Sequence, residues 1–292
     1  MLLGVACALG AALVYGVASI LQAIGARQVE HTHRMDPFVL FALLRRPLYA
    51  LALGLTLAGF VLHLIALRTL PLYLAQSAIA ASLAVTAVLA VFTYGEPLAR
   101  REWGAVGCVV GGLVLLTLAG GDVGESEASG ALELGLLGTL AVLVVGGAAA
   151  WRVHSRGATA ALGAFAGLGY AVVGVCGRVL PDIGLDLVTS PVAYVMAAAA
   201  GLAFLLYSIA LQRGAVTTVT GPMIALQTAG PSLVGLLFLG DTVRSGWAVG
   251  AVAGFALTAF GTLVLVRFEG GPDAGTSDVS PAAAAPTPPA AP

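Results

Sequence analysis

Long apolar stretches separated by short polar junctions run through most of the chain. Uncharged runs cover Leu2–Ala26, Leu48–Leu67, Pro71–Gly95, Trp103–Gly121, Leu134–Trp151, Gly157–Gly177, Leu187–Leu211, Gly214–Gly240 and Ser245–Val266. Each is close to the ~20 residues that a helix needs to cross the hydrocarbon of a bilayer. The pattern therefore predicts an all-α polytopic membrane bundle of nine transmembrane helices. The stretch Pro37–Leu44 is too short to span and reads as an interfacial helix leading into Arg45 and Arg46. From Gly270 to Pro292 the sequence turns Ala/Pro-rich with a few acids. Such a segment cannot bury a core and is expected to be a disordered tail.

Composition agrees with lipid as the solvent. Of 292 residues, 59% are hydrophobic and 9% charged, against about 25% charged in a soluble domain. A net charge of −1 gives no footprint for nucleic acid. All 13 basic residues are Arg, and their placement sets an orientation, because cytoplasmic loops collect positive charge. With the first inter-helix junction inside, 10 arginines are cytoplasmic and 3 (Arg68, Arg178, Arg244) external. The N-terminus is then outside and the C-terminus in the cytoplasm of a cell whose plasma membrane holds the chain. The first run lacks a basic leader and is too long for a signal peptide, so it counts as a span. Because the chain enters hydrocarbon at once, a further helix upstream stays open. Cys7, Cys108 and Cys176 all lie in apolar runs and outline neither a disulfide nor a metal framework.

The two halves echo one another. Ala66-Leu67 matches Ala210-Leu211, and each pair precedes a polar turn and a long helix. That helix ends in Gly95-Glu96-Pro97-Leu98 in one half and Gly240-Asp241-Thr242-Val243 in the other, followed by Arg100 and Trp103 or by Arg244 and Trp247. A Gly-rich helix closes each copy, and Tyr15 matches Tyr170 upstream. Four helices in residues 1–121 thus pair with four of the five in residues 134–268, with 122–133 as an external loop and 269–292 as the cytoplasmic tail. Matched helices run in opposite senses, which is an inverted-topology repeat.

These residues resemble the EamA-like branch of the drug/metabolite transporter superfamily. The carriers are Ala66, Leu67, Gly95, Glu96, Leu98, Gly107, Gly111 and Gly112, and in the second copy Ala210, Leu211, Gly240, Asp241, Gly250, Gly254 and Gly261. The resemblance covers roughly Leu2 to Phe268 and implies a transporter without specifying a substrate. Nine helices with an external N-terminus also look like the NIPA-type magnesium-transporter branch, but the Gly-Glu-x-x-Asn motif of that branch falls on Gly59, Phe60 and His63 here, without the carboxylate.

Polar groups within the spans are the candidate chemistry, because they are costly in lipid. His63 is the one side chain in these runs that ionises near neutral pH; it either ligates substrate or carries a proton, or simply bonds a neighbouring helix. Tyr207 is its repeat partner. Gln76 and Ser77 lie at similar depth, and Thr220 and Gly221 match them; Gln22, Gln227 and Thr228 are of the same kind. All suit a polar solute, or interhelical bonding. Tyr15 and Tyr170 offer an aromatic face with a hydroxyl, or plain packing. Pro222 and Pro231 break the amide ladder of one helix and read as hinges or packing kinks. Glu96 and Asp241 read as anchors at opposite faces, paired with Arg100 and Arg244. Gly104, Gly107, Gly111 and Gly112 read as a close-packing face.

The leading function is a carrier of a small, metabolite-like solute working by alternating access between the repeats. No acid lies mid-membrane to favour a strongly cationic substrate, and no arginine to favour a strongly anionic one. A magnesium or other divalent-cation carrier, a flippase for a lipid-linked head group and a non-transporting scaffold are the alternatives. An intramembrane enzyme finds no His-Glu-x-x-His, no paired aspartates and no Ser beside a His. No cofactor or bound metal is expected. The expected partners are the lipid bilayer and a small solute, with no nucleic acid; a homodimer stays open.

Overall fold

The computed structural model describes residues 1–27, 47–94, 98–125, 127, 129–181, 184–214 and 216–269. The interfacial helix expected at Pro37–Leu44, Glu96 with its expected pairing to Arg100, and the tail all lie outside the described residues, as does the side chain of Gln22.

The described chain is α-helical. The helices are α1 (Leu2–Arg27), α2 (Pro47–Thr69), α3 (Leu72–Tyr94), α4 (Arg100–Leu118), α5 (Gly130–Arg152) and α6 (Arg156–Val179). They continue with the short α7 (Leu185–Thr189), then α8 (Pro191–Arg213), α9 (Val216–Phe238) and α10 (Ala248–Glu269). Nine of them, all but α7, are long and apolar enough to cross a membrane. Helix is what lipid allows, since it satisfies every backbone amide within the segment. Hydroxyls inside the spans follow the same rule by bonding the carbonyl one turn back: Ser19 to Tyr15 O at 2.9 Å and Thr262 to Thr258 O at 2.8 Å. At helix starts, Ser129 and Ser155 accept the amides of Leu132 and Ala158 at 3.2 and 3.1 Å, satisfying donors the helix leaves over.

Large apolar side chains face outward along the bundle, among them Leu2, Phe92, Val145, Phe204, Phe238 and Val249. In water this would be a liability; against acyl chains it is the expected surface. The interior is built largely from alanine and glycine, so backbones come close. α1 packs along α2 and α3, and α6 along α8 and α9; α4 crosses α10, and α3 also meets α9 and α10. α5 lies at the periphery against α6 and α8.

The α4–α10 crossing corrects one expectation. Only Gly112 of the four glycines on α4 sits in the contact: a Cβ there would clash with Thr258, and it would meet Gly254 O at 2.6 Å. Gly104, Gly107 and Gly111 face open space. The partner glycines are on α10, where a Cβ on Gly254 or Gly261 would lie 2.8 and 2.5 Å from the carbonyls of Gly112 and Ala105. α9 runs unbroken through Pro222 and Pro231.

Candidate functional site

Polar groups from both halves of the chain converge on a cavity of about 450 Å³ in the interior. α1 contributes Tyr15 and Ser19, α2 His63, α3 Gln76 and Ser82, α6 Tyr170, and α9 Gln227. Between them the wall is apolar, with Phe60, Leu64, Leu67, Val173 and Met196. The volume is in the ~300–1,000 Å³ range of small-molecule sites, and a mainly apolar wall with a few placed polar groups is their usual make-up. A larger groove of about 760 Å³ between α1, α3 and α4 is lined almost wholly by aliphatic side chains. A third, of about 560 Å³, lies at a helix end and is lined by His154, Arg156, Arg213 and neighbours.

Small residues let the polar side chains reach the cavity. Gly174 on α6 leaves room for the Gln76 carboxamide, for a Cβ there would collide with Gln76 Nε2 and come within 3.2 Å of Pro231 Cγ. Gly59 does the same for Tyr15, whose ring would lie 3.1 Å from a Cβ at that position. Pro231 has no amide hydrogen, so the carbonyl of Gln227, four residues earlier and on the cavity wall, has no helical donor.

His63 is 6% exposed, and its Nδ1 has no hydrogen-bond partner among the described residues. A buried polar atom left in this way costs roughly 1–3 kcal/mol and calls for a reason.

The structure thus brings together Tyr15, His63, Gln76, Tyr170 and Gln227 from the residues the sequence singled out. It leaves others aside. Ser77 is turned back to its own helix, bonding Tyr73 O at 2.7 Å. Tyr207 and Thr220 bond each other at 3.0 Å across α8 and α9, off the cavity wall. Thr228 bonds Ile224 O at 2.7 Å within α9. For Ser77, Tyr207, Thr220 and Thr228, internal bonding is the role the structure shows.

One feature lay beyond the sequence reading. Arg178, expected in an external junction, is the last-turn residue of α6 and is 0% exposed. It pairs with Asp241, Nη2 to Oδ1 at 3.2 Å, so the expected Asp241–Arg244 pair is replaced by Asp241–Arg178. Arg178 Nη2 also donates to Leu70 O at 2.5 Å, and its Nε and Nη1 have no partner among the described residues. The Asp241 carboxylate accepts the amide of Leu72, at the start of α3, at 2.7 Å and that of Gly124 at 2.8 Å. Gly240, at φ +78°, turns the chain beyond α9 so that Asp241 folds back, and Gly235 clears the space the carboxylate occupies.

Around this pair the junctions knit together. Gly120 and Val243 form an antiparallel bridge, with Thr242 N to Asp122 O and Arg244 N to Ala119 O both at 3.0 Å. Tyr73 donates to Thr242 O at 3.1 Å, and Arg68 donates to Leu180 O and Pro181 O. The result is a latch over one end of the bundle, joining the α2–α3 turn to α6 and to the segments after α4 and α9. The signal in the sequence is the pair of opposite charges, one at the end of the Gly-rich α6 and one just beyond α9.

Comparison with protein-family models, with curated proteins and with solved structures finds no match. What the described residues form is a multi-pass, membrane-type helical bundle with a mainly apolar cavity carrying a few polar groups, and an end fastened by the Arg178–Asp241 pair.

Proposed function

We propose that this protein is a carrier of a small solute, working by alternating access, and that the cavity between His63, Gln76 and Gln227 is its substrate site. One observation carries the reading: polar side chains from α1, α2 and α3, with His63 and Gln76 buried, meet those of α6 and α9 around one cavity. In a lipid-embedded protein such groups are costly unless they serve a solute or one another. The sequence echoes, and the pairing of α1 with α2 and α3 beside that of α6 with α8 and α9, support two inverted repeats. Rocking between them would expose the cavity to each side in turn. The resemblance to EamA-like transporters supports the same conclusion and does not depend on any substrate.

The latched end would be the external gate, closed in this conformation. Of the three arginines on that side, Arg178 is buried and Arg68 bonds main-chain carbonyls, which leaves Arg244 as the exposed one. On the arginine distribution along the sequence we read the N-terminus as outside and the C-terminus as cytoplasmic. A divalent-cation carrier has less support, because magnesium favours carboxylate oxygens and none lines the cavity among the described residues.

Accessibility tests the proposal. Cys7, Cys108 and Cys176 are replaced by Ser, Ser82 on the cavity wall becomes Cys, and the protein is reconstituted in liposomes of known sidedness. A membrane-impermeant maleimide is expected to label Ser82→Cys from both faces, more slowly from the latched one. Labelling from neither face would return the protein to a sealed scaffold.

A further inference from the structure

We infer that the cavity selects an uncharged solute with an amide-like or hydroxyl-bearing head and an apolar body, and that His63 is the residue that reads the head. This rests on the proposed substrate site and adds its chemistry.

The argument starts from what the walls can and cannot solvate. The polar groups on the cavity are an imidazole, two carboxamides, two phenols and two hydroxyls. None is a carboxylate, an ammonium or a guanidinium, and imidazole is mostly neutral above its ordinary pKa of about 6.5. An ion entering such a space exchanges full hydration for neutral dipoles against an apolar wall, which is strongly unfavourable without a counter-charge. Arg178 and Arg68 are each next in sequence to a cavity-lining residue, Gly177 and Leu67; the Arg178 charge is taken up by Asp241, and the Arg68 guanidinium donates to Leu180 O and Pro181 O. A neutral head loses far less on entry and recovers it by hydrogen bonding.

The same walls supply what a neutral head needs. Gln76 and Gln227 each offer a donor and an acceptor, and Pro231 leaves the Gln227 carbonyl without its helical amide. His63 lines the cavity with its ring buried and Nδ1 without a partner among the described residues, so the ring can meet a solute head through a nitrogen that no described group takes. A site built around buried polar groups rejects a ligand that leaves them unpaired. Phe60, Leu64 and Met196 on the wall favour an apolar body on the same molecule.

Matched triads that hold the body constant and change only the head test this. One is phenylacetamide, phenylacetate and 2-phenylethylamine; the other is isovaleramide, isovalerate and isoamylamine. Each is measured by thermal shift on the purified full chain and by protection of Ser82→Cys from maleimide. The amides are expected to raise the melting temperature and slow labelling, and their charged counterparts at equal concentration to do neither. His63→Ala should weaken amide binding about tenfold or more, equivalent to one lost hydrogen bond of about 1.4 kcal/mol. Because His63→Ala also removes packing volume, His63→Asn and His63→Gln accompany it: Asn keeps a polar atom near Nδ1 and Gln near Nε2, so recovery in one identifies the nitrogen used. A charged member binding as well as its amide would overturn the solute class. So would silence from both amides in protein whose Ser82→Cys still labels from two sides, and in that case the carrier reading would survive. Amide binding unchanged in all three His63 variants would remove His63 from the site.

Discussion

Asp241 and Arg178 are partners of unequal dependence. The carboxylate has two main-chain donors, Leu72 N at 2.7 Å and Gly124 N at 2.8 Å, besides the guanidinium. The guanidinium has Leu70 O besides the carboxylate, and two of its nitrogens are already without partners. Removing the acid therefore strands a buried cation, a loss of roughly 3–5 kcal/mol for a broken buried pair. Removing the base leaves an anion that still has two amides. Asp241→Leu is accordingly expected to lower the melting temperature in detergent more than Arg178→Met, and the double variant to recover part of the Asp241→Leu loss because no stranded charge remains. Equal losses in the two single variants would mean that the Leu72 and Gly124 amides contribute nothing to holding the acid. None of this could be read from spacing along the chain. Arg244 stands at the third residue after Asp241 and is the local choice; the partner actually used is 63 residues away in sequence and is selected by burial.

At the level of elements, the glycines divide by what faces them. Gly167 on α6 meets the main chain of Met223 on α9 so closely that a Cβ there would strike the carbonyl. Backbone cannot swing aside as a long side chain can, so Gly167→Ala is expected to cost about 1–3 kcal/mol through forced separation of α6 and α9. Gly107 on α4 faces nothing within 4 Å, and Gly107→Ala should be neutral or slightly stabilising, since Ala is the better helix former by up to about 1 kcal/mol. Thermal unfolding of the two variants side by side checks the contrast; similar losses would mean the α4 face packs against something. The sequence shows that glycine is abundant on both helices but not which face each presents, because a helix apolar all round carries no polar stripe to set its rotation. For the same reason the nine spans are legible from the apolar runs, while the rotation that turns Ser77 and Thr220 to bonds within the protein is not. His63, Gln76, Tyr15, Tyr170 and Gln227 come together because a polar group in lipid is turned inward, and the cavity is where these inward positions meet.

For the molecule as a whole, the proposed carrier function makes the latch and the cavity parts of one equilibrium. The latch ties Asp241 and Arg178 of the second half to the α2–α3 turn of the first, so it exists only while that end is closed. By the Tyr15–Tyr170 match, Arg178 corresponds to Ala23, so the first copy does not repeat this arginine. On the proposed carrier reading, loosening the latched end shifts the population by the free energy removed. Asp241→Asn keeps the size of the side chain and one carbonyl acceptor while removing the charge. A loss of about 1.4 kcal/mol from the closed state alone multiplies the open-to-closed ratio by ten. In the Ser82→Cys background, maleimide labelling from the latched face should therefore rise about tenfold or more, with labelling from the opposite face unchanged or reduced. A rise from both faces would indicate general loosening of the bundle, and no change from either would make the ion pair a structural fastening with no part in gating. Because opening one gate at the expense of the other is the defining behaviour of alternating access, only the one-sided result is what a carrier produces.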